Sequence, residues 1–114
     1  MCKRIVIPHR KGTAHDAGPD LPIVLSFLRI DDLVLACTSA EPFGRIGLNI
    51  KHMSPYAHTL FVGHCNGYAG VLPTKEAFAR GGADIGASPA TEDEEWLFTQ
   101  WMVESLRRMK STGD

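Results

Sequence analysis

The chain has 114 residues, enough for one domain-sized core and too few for a multi-lobed enzyme. Its hydrophobic content of 44% and charged content of 22% are those of an ordinary globular protein and exclude a mostly disordered chain. A formal net charge of −1 leaves no basic excess to neutralise a phosphate backbone, so no nucleic-acid partner is expected.

Residues 4–8 carry Ile5-Val6-Ile7 and read as a short strand. They are too few for the apolar region of a signal peptide. Residues 9–19 are polar and read as a loop. Residues 22–30 form a second strand, and their near-continuous apolar character predicts cover on both faces. Asp31-Asp32 is a turn, and residues 33–38 are a third strand that closes a hairpin with the second. The longest apolar stretch, Leu21 to Ile30, is interrupted by Ser26 and Arg29. It falls well short of the ~20 residues of a transmembrane helix, so no membrane span is expected. Lacking a leader, the chain reads as cytoplasmic. Cys2, Cys37 and Cys65 are odd in number and form no Cys-x-x-Cys, which fits reduced thiols.

Phe43, Ile46, Ile50 and Met53 then fall on one helical face, with Pro42 suited to the first helical position. Gly44 and Gly47 each cost about 1 kcal/mol against Ala inside a helix, and their spacing predicts close approach to a sheet. Ser54-Pro55 ends the helix. Residues 59–65 read as a fourth strand broken by Asn66-Gly67. Pro73-Thr74 opens a short helix through Arg80, stopped by Gly81-Gly82. Thr91 and Glu94 form a capping-box pattern for a last helix, whose apolar face holds Leu97, Phe98, Trp101, Met102, Leu106 and Met109. The expected fold is α+β: a mixed sheet of about four strands, a strand-to-helix crossover and a C-terminal amphipathic helix.

Two positions invite chemistry because they follow strands. Glu41 lies where the third strand gives way to the first helix; it reads either as a reactive carboxylate or simply as a complement to the helix dipole. Asn66-Gly67-Tyr68 follows the fourth strand, and there a turn with a packed tyrosine is the plainer reading. His52, His58, His64 and Cys65 match no zinc-binding spacing. There is no Gly-x-Ser-x-Gly, phosphate loop or His-Glu-x-x-His. Ser26, Ser39, Ser54 and Ser88 have no evident base. Read from the residues alone, the chain supplies at most part of an active site.

Certain segments nevertheless resemble the neutral/alkaline, non-lysosomal ceramidase family. They are Leu28-Arg29-Ile30-Asp31-Asp32-Leu33, Ala40-Glu41-Pro42-Phe43-Gly44-Arg45-Ile46-Gly47 and Ser54-Pro55-Tyr56, followed by the run Asn66-Gly67-Tyr68-Ala69-Gly70-Val71-Leu72-Pro73-Thr74-Lys75-Glu76-Ala77-Phe78 and by Gly81-Gly82. Their order matches the last part of that family's catalytic domain over about residues 20–85, so the chain reads as a single or partial domain. The resemblance implies a zinc-dependent amidohydrolase that cleaves the N-acyl bond of ceramide to a sphingoid base and a fatty acid. It aligns Glu41 and Tyr68 with zinc ligands.

The family's zinc histidines and catalytic serine region lie upstream of this segment. The resemblance therefore implies a fragment or truncated homologue, inactive alone. Its partners would be a ceramide-like lipid or a chain carrying the missing catalytic part, and a full-length form could be secreted. The chain departs from the family at Ser39-Ala40, where Pro-Gly is usual, at Val71, where an aromatic is usual, and at Ala83, where a tyrosine is usual. Two other readings stand beside this one: a non-catalytic α+β binding module, and a metal binder using His58 and His64.

Overall fold

The computed structural model describes residues 2–8, 20–67, 69–82, 90 and 93–112. Strands β1 (Cys2–Pro8), β2 (Asp20–Ile30) and β3 (Leu33–Thr38) form an antiparallel meander. The β2–β3 turn is tight, with Asp31 at φ 53° and the Arg29 Nε donating to its carbonyl at 2.8 Å. Short polar residues tolerate that left-handed conformation better than most. After β3 come the two-residue strand β4 (Glu41–Pro42) and helix α1 (Gly44–Met53). Strand β5 (His58–Val62) then returns parallel to β3. The main sheet has the order β1-β2-β3-β5, the mixed α+β arrangement expected. The remaining elements are β6 (Val71–Leu72), α2 (Lys75–Arg80) and α3 (Glu94–Thr112).

One face of the sheet is a core. Ile23, Leu25 and Phe27 of β2 and Val34 and Ala36 of β3 are buried beneath Ile46 and Ile50 of α1 and Phe98, Met102, Leu106 and Met109 of α3. Phe61 of β5 meets Phe98 edge-on, with ring centroids 6.4 Å apart. That contact explains Gly47, because a Cβ there would lie 2.9 Å from the Phe61 ring. Close approach to the sheet is thus confirmed at Gly47, whereas Gly44 faces open space. Tyr56 caps one end of this layer, with Lys110 Nζ 5.0 Å and Arg29 Cζ 5.5 Å from its ring centroid.

The opposite face departs from expectation. The apolar run of β2 predicts cover on both sides, yet Leu28 is 55% and Ile30 53% exposed. Both helices of the core lie on the other side. The apolar stripe of α3 forms as read, and its Glu94 is buried in the first turn, where the helix dipole favours a carboxylate. Thr91 of the expected capping box, Ala83 and the 9–19 loop lie outside the described residues. The α2 signals hold: the Thr74 hydroxyl accepts from the Ala77 N–H at 3.1 Å, and Gly81 ends the helix at φ 75°.

Candidate functional site

Glu41 owes its position to a backbone ladder. At the end of β3 the Ser39 N–H donates to the Val24 carbonyl at 3.0 Å, and the Val24 N–H donates to the Ser39 hydroxyl at 2.9 Å. A proline at 39 would lack the first donor and the second acceptor, so Ser39 secures this connection. The Glu41 N–H donates to the Gly70 carbonyl and the Phe43 N–H to the Leu72 carbonyl, both at 2.9 Å. These bonds make β4 and β6 a small parallel pair with Glu41 opposite Val71. Pro42 therefore belongs to β4 rather than to the first helical position, and Phe43 is the N-cap of α1. The need to pair with β6 holds these residues extended and delays the helix to Gly44.

The chain after β5 runs along the same ladder. The His64 N–H donates to the Ala40 carbonyl at 3.0 Å, the Cys65 N–H to Thr38 at 2.8 Å and the Ala69 N–H to Ser39 at 2.8 Å. The expected strand over 59–65 stops at Val62 instead. A Cβ at Gly63 would lie 3.2 Å from the Ala40 carbonyl oxygen, and His64 and Asn66 take φ 53° and 61°. This bend brings the His64 Nε2 to 3.1 Å from Glu41 Oε2, both side chains about half-exposed. Beside them Glu41, Pro42, Phe43 and Val71 line a shallow cavity of about 120 Å³.

Glu41 is thus at a strand end, exposed and engaged by an imidazole. Tyr68, the second residue implied as a zinc ligand, lies outside the described residues, although Gly67 and Ala69 on either side both run beside Ser39. His64 as the partner of Glu41 is the residue that the sequence reading missed. It treats 59–65 as a continuous strand, which would set His58 and His64 on one face. The overlooked signal is Gly63, since glycine within a strand pattern marks a bend or a close approach. His58 instead begins β5, 3.9 Å from Asp32, at the opposite end from His64, so the two histidines do not form the alternative metal site.

Zinc commonly takes three protein ligands and an open position in a catalytic site. Among the described residues no group of three or more His, Cys, Asp or Glu side chains could hold a metal ion. Glu41 and His64 offer a carboxylate oxygen and an imidazole nitrogen, a chemically suitable but incomplete donor set. A cavity of about 900 Å³ beside Met53, Trp96 and Leu97 belongs to the helical layer and shares no residue with the Glu41 site.

A ceramidase structure complexed with C2 superposes on 87% of this chain with a TM-score of 0.71 and 22% identity. The fold is ceramidase-like. The crystal structure of neutral ceramidase from Pseudomonas aeruginosa agrees over 75% of this chain, with a TM-score of 0.64 and 25% identity. The chain spans only 17% and 14% of the lengths of these two ceramidases. Comparison with protein-family models and with curated proteins gives no match. No helix among the described residues is long and apolar enough to cross a membrane.

Proposed function

We propose that this chain is one part of a ceramidase-like zinc amidohydrolase, contributing Glu41 and Tyr68 to a metal site whose histidines come from a segment outside these residues. The observation that carries this reading is the half-exposed Glu41 carboxylate at a strand end, within a fold that superposes on a fraction of a ceramidase. The substrate is a ceramide-like N-acyl sphingoid lipid.

A bound zinc would supply Lewis-acid polarisation of the amide carbonyl. This chain's own contribution is to hold an oxygen donor in place: the β3–β4–β6 ladder fixes the Glu41 backbone on both sides, and His64 restrains the carboxylate. An outer partner of this kind orients a metal-binding group and tunes its basicity. Two donors cannot make the site alone, so the purified 114-residue chain should show no ceramide hydrolysis with added zinc. Turnover that Glu41→Ala abolishes would contradict this division of the site. A chain joined to a complementary histidine-bearing ceramidase segment should hydrolyse ceramide, and Glu41→Ala should lower zinc content and turnover together.

A further inference from the structure

The face of the sheet opposite the helices is apolar across three strands. In register, Leu28 of β2 pairs with Leu35 of β3, and Leu35 with Leu60 of β5, so one leucine row crosses the sheet. Ile30 and Leu33 pair on one side of that row, and Val62 lies on the other. Leu28, Ile30, Leu60 and Val62 are 55%, 53%, 49% and 41% exposed. Between Val24 and Ile30 of β2, along β3 and from Leu60 to Val62 of β5 the outward positions carry no Asp, Glu, Lys or Arg; Asp20 and His58 stand at the strand ends beyond this patch. Antiparallel sheets that face water usually alternate apolar and polar residues, whereas strands covered on both faces read as continuous apolar runs. The pattern of β2 and β3 is of the second kind, and among the described residues only one face has its cover.

We infer that this outer face is the seam on which the larger part of a ceramidase-like polypeptide closes, an inference that rests on the function proposed above. Two observations select that occupant over a second copy of the chain. Strands about 4.8 Å apart with a rise of about 3.3 Å per residue give the three-strand patch a footprint on the order of 200–300 Å². Stable self-standing dimers bury about 800 Å² on each partner, and must also offset the loss of rigid-body freedom. A layer within one folded unit meets no such requirement. The fold also occupies only 17% and 14% of the two ceramidases on which it superposes, so in those proteins most of the chain lies outside it.

The test is carbene footprinting with an alkyl diazirine. It compares the recombinant 114-residue chain with the native species isolated from source cells by an antibody against α3. Leu28, Leu35 and Leu60 should be labelled in the recombinant chain and protected at least fivefold in the native species, with mass spectrometry identifying the covering polypeptide as ceramidase-like. Leu28→Lys with Leu60→Lys should leave the melting of the recombinant chain nearly unchanged, because both side chains are exposed, and should remove protection when introduced into the source gene. Equal labelling in both samples would overturn the inference. So would protection that grows with the concentration of the recombinant chain, which would assign the face to a second copy, or cover by an unrelated polypeptide. Ceramide hydrolysis by the native species is read separately. Its absence with protection intact removes the proposed activity and leaves the seam, and hydrolysis without protection removes the seam alone.

Discussion

Cys37 and Cys65 show how a single contact becomes measurable. Both are free thiols, and the Cys65 amide is bonded to the Thr38 carbonyl, next to Cys37. Burial, then a hydrogen bond and charge repulsion with Cys65, push the Cys37 thiol from the ordinary 9.0 up to about 11. The folded chain therefore keeps this proton through a range in which the unfolded chain has released it. The contribution to stability is constant below pH 9 and declines as pH rises from 9 to 11. Thermal midpoints measured across that window should fall more steeply for the wild type than for Cys37→Ala; parallel profiles would contradict the contact. The odd number of cysteines suggested reduced thiols, but gave no sign that Cys37 and Cys65 meet, because that proximity depends on the bend at Gly63. The same bend hid the Glu41–His64 pair. Glu41 itself was legible, since a carboxylate where a strand gives way to a helix is conspicuous in one dimension.

Elements defined by local signals were read closely. Thr74 and Gly81 bracket α2, and the periodic apolar residues of α3 are its buried face. Elements defined by distant pairing were not. The strands β4 and β6 have two residues each, too few for any periodicity, and exist because residues 41 and 42 lie beside 71 and 72. Gly47 joins the two levels: its spacing suggested close packing, and the Phe61 ring supplies the partner. Alanine would improve helix propensity by about 1 kcal/mol, but overpacking typically costs 1–3 kcal/mol. The Phe61 ring is held against Phe98 and yields little room. Gly47→Ala should therefore destabilise the chain by about 1 kcal/mol, whereas Gly44→Ala, which points to open space, should be neutral or slightly stabilising. Chemical denaturation of the two variants checks the opposite signs. A gain in stability for Gly47→Ala would mean that α1 sits farther from β5.

At the scale of the molecule, sheet order and helix cover point the same way. A two-layer α+β unit buries one sheet face under α1 and α3, and on the other face Leu28, Ile30 and Leu60 are about half-exposed. Its Glu41 stands at a strand end beside the His64 imidazole. The apolar run of β2 suggested cover on both sides, but Leu28 and Ile30 are exposed, because α1 and α3 both pack on the other face. The central claim is that this chain works as part of a larger ceramidase-like polypeptide, and the mass of the native species in source cells, detected with an antibody against α3, tests it most directly. A species several times heavier than the 12.5 kDa of this chain is predicted. A native species of 12.5 kDa with no associated polypeptide would contradict the account.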